Sequence, residues 1–203
     1  MTNDFLKSNG VYPFIPLQTR WVYQFQMLKY FITNKGILRE AMDMLGMNFI
    51  DITELKLIED AVIILEEFAV FIHTIEADKT VTISEVLLSL VSIRNKISKK
   101  IHSTSNLTLK QWLKNILLDM EFRFEHVTDP QSPKFNVIYS LATFLDPRTF
   151  KLMYSPSLMS FRNASIEAIH RHIGVGHVNE KQSTGKYDLE EPVEDIEAND
   201  FKV

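Results

Sequence analysis

The sequence has 203 residues and a mass of 23.6 kDa, which is enough for one domain, or for one domain and a tail. Apolar residues make up 45% and charged residues 24%, so we expect a hydrophobic core, and disorder along the whole chain is excluded. The absence of cysteine excludes disulfides, cysteine-ligated zinc fingers, iron–sulfur clusters and thiol nucleophiles. The net charge of −4 is uneven, because residues 178–203 alone carry −5 and the remainder is close to neutral.

The apolar runs are short. The longest, 61–65 and 68–72, are separated by two glutamates, and neither approaches the ~20 residues that a membrane-spanning helix needs. Residues 1–10 lack a basic stretch followed by an apolar run, so we expect no signal peptide. No membrane partner is therefore expected.

The first third of the chain predicts a lead-in followed by two helices. Residues 1–17 contain two prolines and show no clear period, which predicts an extended segment. A helix is expected over 19–33, and a second, short helix is expected to end near Leu45 with Gly46 as its stop.

The next helix is expected to be central. Asp51 and Glu54 have the spacing of a capping box, and the 25 or so residues behind them are apolar around more than half of a helix. A helix this apolar is typical of the middle of a bundle. Its polar strip is acidic and consists of Glu59, Asp60, Glu66 and Glu67. We interpret adjacent acids such as Glu66 and Glu67 as solvated charge.

Two further capping-box patterns, Thr82 with Glu85 and Thr108 with Gln111, each precede a helical repeat of apolar residues. The repeat over 109–124 follows the i, i+3, i+4, i+7 pattern without a miss, and is the clearest in the sequence.

The last part of the body predicts a loop and two more helices. Prolines make 129–133 a loop, and 135–145 is apolar enough for a buried helix. Asp146-Pro147 has the pattern of a cap with proline at the first helical position, and a weaker helix is expected over 157–173.

These elements predict an all-α fold. We expect an irregular bundle of about six to eight helices over residues 18–175, preceded by the lead-in over 1–17. Beyond Val178 the apolar period is lost, so a disordered acidic C-terminal tail is expected over 176–203.

Histidine is the obvious metal-binding residue type in this sequence. His170, His172 and His177 are close together, but residues two apart on a helix point in different directions. No cofactor, metal site, small-molecule substrate or catalytic triad is expected from the spacing of the polar residues.

A group of basic residues predicts a phosphate-binding surface. If two successive helices are antiparallel neighbours, six cations gather at one end of the bundle: Arg94, Lys96, Lys99, Lys100, Lys110 and Lys114. The alternative is that lysines in a last helical turn simply complement the helix dipole. DNA is therefore one expected partner.

Two stretches carry a family resemblance. Thr19-Arg20-Trp21, and the sequence LATFLDPRTFK over 141–151, resemble motifs of the hAT superfamily of DNA transposases and of the BED-type zinc-finger proteins domesticated from them. The resemblance covers roughly residues 15–155. It implies that this chain is similar to the all-helical insertion of the transposase core, and it implies a nuclear location.

The resemblance also implies that the chain is not an enzyme. In that family two aspartates and a glutamate on a ribonuclease-H-like sheet cleave DNA with metal ions, and both aspartates lie upstream of the Thr-Arg-Trp motif. This sequence has 18 residues there and no strand pattern, and it lacks the cysteines of a BED finger. Asp146 and Arg148 are interpreted as a helix cap and its ion-pair partner.

Two functions from different classes remain open. The first is a transposase-derived helical domain with residual DNA binding, to which Arg20 and Trp21 contribute a phosphate contact and base stacking, although Trp21 also suits the core. The second is a protein-interaction or dimerisation module that uses apolar surface left bare by the missing catalytic core. A gene product with no retained role is a third interpretation. The candidate residues for a bare patch are Phe14, Tyr23, Tyr30 and Phe31.

Overall fold

The computed structural model describes residues 2–12, 21–76 and 82–173, apart from the side chain of Trp21. The predicted all-α class is confirmed, because these residues form helices and contain no strand. The predicted disordered tail lies outside the described residues. The α-helices are α1 (Thr2–Ser8), α2 (Trp21–Thr33), α3 (Lys35–Met44), α4 (Ile52–Ile75), α5 (Ile83–Ser103), α6 (Leu107–Thr128), α7 (Ile138–Leu145) and α8 (Met159–His172).

Two compact units divide the chain. The first unit comprises residues 1–73 and 96–113, and the second comprises 74–95 and 114–203, so α5 and α6 each contribute to both. No helix of the described ranges is long and apolar enough to cross a membrane.

The first unit contains a helix that the sequence did not predict. Part of the expected extended lead-in forms α1, and the left-handed Gly10 (φ 71°) ends it. The amide of Val11 then donates to the carbonyl of Leu6 (2.9 Å) in a Schellman-type cap, and the Val11 side chain is buried. Burial of an apolar residue beyond the cap stabilises a helix too short to be marked by its own periodicity.

Glycine at a left-handed position also ends α3, as predicted for Gly46 (φ 67°), and the amide of Met47 returns to the carbonyl of Met42 (3.0 Å). The predicted capping box of α4 is present as well. The Asp51 carboxylate accepts from the backbone amides of Thr53 (2.6 Å) and Glu54 (2.8 Å).

The cap of α6 differs from the prediction. The helix begins at Leu107, and the side chain of Asn106, not Thr108, accepts a hydrogen bond from the Leu109 amide (3.0 Å). Asparagine is among the strongest N-cap residues, so it starts the helix two residues earlier than the Thr-x-x-Gln pattern indicated.

The core of the first unit is built from α2, α3 and α4 with the parts of α5 and α6 that belong to it. Its most buried apolar residues are Val11, Phe25, Ala41, Leu55, Val62, Ile64, Phe71, Ile97, Ile101, Leu109 and Leu113.

The second unit combines an apolar core with buried hydroxyl groups. The apolar residues are Leu87, Leu88, Leu90, Ile93, Met120, Val127, Met153, Leu158 and Phe161. The buried hydroxyls belong to Ser84, Ser140, Thr143, Thr149 and Ser165.

These hydroxyls join α5 to α7 and α7 to α8. Thr143 Oγ1 lies 2.8 Å from the carbonyl oxygen of Ser84, and Thr149 Oγ1 donates to the carbonyl of Thr143 at 2.7 Å. Ser165 Oγ lies 3.1 Å from Ser140 Oγ. Because buried polar groups are costly when unpaired, this arrangement fixes the register of the three helices.

Asp146 ends α7 and organises the turn that follows. Its carboxylate accepts from Ser84 Oγ (2.7 Å), from the Arg148 amide (2.9 Å) and from the Arg148 guanidinium (2.7 Å). The predicted helix with Pro147 at its first position is wrong, because this Asx-type turn leads into a 3₁₀ helix that begins only at Phe150. The interpretation of Asp146 and Arg148 as an ion pair is confirmed.

The donors around Asp146 set its ionisation. Hydrogen bonds from Arg148, and then from Ser84, hold the pKa of the Asp146 carboxyl far below its ordinary value of 3.8. The same contact raises the pKa of the Arg148 guanidinium. A carboxyl with a lowered folded-state pKa stabilises the fold above its unfolded pKa, and that stabilisation is lost as the pH falls below about 4.

We expect Asp146→Asn to lower the free energy of unfolding at pH 7 and to do so progressively less as the pH is lowered from 5 to 2.5. Urea unfolding followed by far-ultraviolet circular dichroism at several pH values measures this difference. Asp43→Asn is the matched control, because Asp43 is exposed and makes no ion pair with any described residue. A difference between Asp146→Asn and the wild type that stays constant with pH would contradict the assignment.

Candidate nucleic-acid interface

Two of the predicted DNA-binding residues precede or open α2. Arg20 lies outside the described residues. Trp21 is the first residue of α2, and only its backbone is described.

Two of the predicted lysines bind the acidic strip of α4. Lys96 Nζ lies 2.6 Å from Glu67 Oε2, and Lys100 Nζ lies 2.7 Å from Asp60 Oδ1. These groups are well shielded, since the Lys100 side chain is 29% exposed and that of Asp60 is 18% exposed. Along α5 the lysine numbers rise while those of their α4 partners fall, so the two helices are antiparallel here.

The other two acids of the strip are also paired. Lys29 of α2 forms an ion pair with Glu66, and Lys35 of α3 forms one with Glu59. The acidic strip of α4 therefore pairs with four lysines, of which α5 supplies two and α2 and α3 supply one each. Glu59 and Glu66 are seven residues apart, and so are Asp60 and Glu67. Seven residues make about two helical turns, so the four acids lie on the same side of α4.

Arg94 is paired as well, within the second unit. Its guanidinium lies 3.3 Å from the carboxylate of Glu121, and both side chains are about half exposed. An exposed pair of this kind contributes little to stability and leaves the arginine available for exchange with another anion.

Three of the predicted cations have no ion pair within the described ranges: Lys99, Lys110 and Lys114. Lys99 and Lys114 are exposed and Lys110 is half-buried. Lys99 and Lys110 belong to the first unit, and Lys114 belongs to the second. Of the six predicted cations, three form ion pairs and three form none with the residues that the structure describes.

The predicted apolar patch is mostly used inside the first unit. Phe31 stacks on Phe49 with ring centroids 5.7 Å apart, and the hydroxyl of Tyr30 accepts from the backbone amide of Tyr12 at 2.7 Å. Tyr23 is half-buried, and Phe14 lies outside the described residues.

A different apolar pair in the second unit is largely exposed to solvent. Leu118 is 65% exposed and Phe122 is 78% exposed, one turn apart on α6. Both are absent from the buried repeat that predicted this helix, so their position off that repeat was a usable signal in the sequence.

The histidines that the structure describes do not converge on a metal site. His170 and His172 are exposed at the end of α8, and His177 lies outside the described residues. Within the described ranges, no group of three or more histidine, aspartate or glutamate side chains is placed to hold a metal ion.

Comparisons with protein-family models, with curated proteins and with solved structures give no match to this chain.

We expect Lys100→Met to lower the free energy of unfolding by about 1–2 kcal/mol, because it leaves the shielded carboxylate of Asp60 without its partner. Lys99→Met, one residue earlier on the same helix, removes an exposed and unpaired lysine, so its effect should stay within about 0.5 kcal/mol. Urea denaturation of both variants measures the difference. Equal effects for the two would refute the structural role assigned to Lys100.

Proposed function

We propose that this chain is a non-catalytic, transposase-derived helical domain of the nucleus that acts by pairing with a second copy of itself through α6. The observation that carries the proposal is the exposed pair Leu118 and Phe122. Two large apolar side chains this exposed on adjacent turns match the buried centre of a protein interface better than an ordinary surface.

Charge around the pair supports an interface with a rim. On one side Arg123 Nε lies 2.7 Å from Asp119 Oδ2, and on the other Glu121 is paired with Arg94. An apolar centre enclosed by polar groups is the usual arrangement of a binding hot spot.

The ends of this face favour a second copy as the partner. Lys114 lies one turn before Leu118 and has no ion pair within the described ranges. Glu125 follows Phe122 by three residues, and hydrogen bonds from Lys134 (2.7 Å) and Ser132 (2.6 Å) keep its pKa below the ordinary value. The face therefore has a lysine at one end, an apolar middle and, at the other end, a carboxylate that already pairs with Lys134.

A face with this order is complementary to itself in an antiparallel arrangement. Two α6 helices related by a twofold axis would place Leu118 of one copy against Phe122 of the other. The same arrangement sets Lys114 of one copy near Glu125 of the other. Isologous contacts of this kind are the commonest route to homodimers.

The non-catalytic part of the proposal is supported by the motif over 141–151. Its aspartate, Asp146, is saturated by hydrogen bonds from Arg148 and Ser84, and its threonines Thr143 and Thr149 are buried in the hydroxyl arrangement. The resemblance to the transposase family thus coincides with residues that serve packing.

We expect sedimentation velocity of the wild-type chain to show a concentration-dependent species of about twice 23.6 kDa. Replacing both Leu118 and Phe122 by Gln should weaken the dimer at least about tenfold, which corresponds to ~1.4 kcal/mol. Ile63→Gln is the matched control, because Ile63 is equally apolar and exposed but lies on α4. The dimer should persist in 0.5 M salt. A monomer at all concentrations would refute the proposal.

DNA binding is a second candidate, supported by two lysines of the first unit that have no ion pair within the described ranges, Lys99 and Lys110. The lysines held by α4 would have to exchange partners before they contacted phosphate, so fewer phosphate contacts are expected than the sequence indicated.

We expect any binding of a short DNA duplex, measured by fluorescence anisotropy, to weaken with salt at a log–log slope of about −2, as two phosphate contacts require. Replacing Lys99 and Lys110 by Glu should abolish it. Lys56→Glu, at an exposed lysine of α4 without an ion pair in the described ranges, should change it little. No binding at low salt would eliminate this candidate and leave the dimer proposal unaffected.

A further inference from the structure

Arg162 of α8 is the best-placed cation without an anionic partner. Its guanidinium carbon lies 4.9 Å from the centre of the Tyr154 ring, and its Nε is buried without a hydrogen-bond partner. No carboxylate of the described ranges pairs with it. Because Nε is buried, an anion would approach the guanidinium at its terminal nitrogens, and the guanidinium keeps its charge while it lies over the ring.

Arg162 stands at the end of a row of aromatic rings. Tyr154 is 51% exposed and meets Phe150 edge to face at 5.2 Å, and Phe150 in turn lies 5.3 Å from Phe144. Tyrosine and arginine side by side at a solvent-facing position are the residue types that dominate protein-binding hot spots.

The charge of the surrounding segment favours an acidic ligand. Residues 138–173 contain four basic and two acidic residues, and both acids are already engaged: Asp146 with Arg148, and Glu167 with Arg171. The cations that stay without a carboxylate there are Lys151 and Arg162.

The chain itself supplies a ligand of the matching chemistry. Residues 178–203 hold eight acidic residues against three lysines. Apolar residues alternate with these acids: Tyr187, Leu189, Val193, Ile196 and Phe201. A peptide of this kind can offer a carboxylate to Arg162 and an apolar side chain to the exposed rings at the same time.

The covalent connection allows the contact within one chain. α8 ends at His172, about 15 Å along the helix from Arg162. The 14 or so residues from there to Tyr187 can span up to ~45 Å. A tethered ligand also gains from a high effective concentration.

We infer that the acidic C-terminal segment 187–201 binds the surface formed by Phe150, Tyr154 and Arg162. One of its carboxylates pairs with the Arg162 guanidinium, and its apolar residues cover the Phe150 and Tyr154 rings. This surface shares no residue with the Leu118–Phe122 face, so the inference does not depend on the proposed dimer.

Paramagnetic broadening tests this in the full chain. The sequence has no cysteine, so Glu194→Cys gives a single attachment point for a nitroxide label. In a ¹⁵N-labelled sample we expect the amide signals of Tyr154 and Arg162 to broaden at least threefold more than those of α1. The broadening should fall by more than half in 0.5 M salt, because salt screens the attraction between the acidic segment and Arg162. The same labelled protein serves for this measurement.

Arg162→Gln should remove the broadening, whereas Arg171→Gln, at an exposed arginine of the same helix, should leave it unchanged. A mixture of ¹⁵N chains without nitroxide and ¹⁴N chains with nitroxide shows whether the bound segment belongs to the same chain or to another copy. Equal broadening in the mixture would assign the contact to another copy and overturn the intrachain inference. Broadening absent from the 150–162 region, or insensitive to both salt and Arg162→Gln, would overturn it entirely.

Discussion

Helix α4 depends on a double row of ion pairs. Most of its circumference is apolar, so burial alone specifies its rotation weakly. The acidic strip of α4 consists of two pairs of neighbouring acids, and the pairs are seven residues apart. In each pair, one acid binds a lysine of α2 or α3 and the other binds a lysine of α5. The two pairs with α5 are the more shielded, and they fix which face of α4 meets α5 because a shielded carboxylate is costly without its cation. The more exposed pairs with α2 and α3 contribute less. The first unit is arranged around this constraint.

The second unit fixes its helices with hydrogen bonds between neutral groups. Buried hydroxyls of α7 and α8 form hydrogen bonds to neighbouring helices. At the end of α7, the Asp146 carboxylate accepts a hydrogen bond from the Ser84 hydroxyl. Such groups tolerate few alternative packings, since every shift in register would leave a buried donor or acceptor unpaired. The residues that resemble a transposase motif are therefore engaged in structure, and solvent-facing residues elsewhere become the stronger functional candidates.

The sequence predicted the helices with long apolar periods, α4 to α6, and the stops at glycines, because both signals are local. It missed α1, whose stability comes from the burial of Val11, and it placed the start of α6 at Thr108 where Asn106 is the stronger cap. The basic residues were identified individually, but their partners were not, since Lys100 and Asp60 are 40 residues apart. Leu118 and Phe122 lie outside the buried repeat of α6, and this position indicates exposure but not whether the two residues bind a partner.

The antiparallel pairing of two α6 helices is tested most directly by disulfide formation between copies, because the chain has no cysteine of its own. Leu118→Cys protein and isotopically heavy Phe122→Cys protein are mixed and oxidised gently, and the products are resolved by mass. A disulfide requires Cα atoms within about 7 Å. We expect the mixed disulfide between positions 118 and 122 to form faster than either same-position product, and faster than any product of an Ile63→Cys control. Equal rates for all combinations would contradict the pairing.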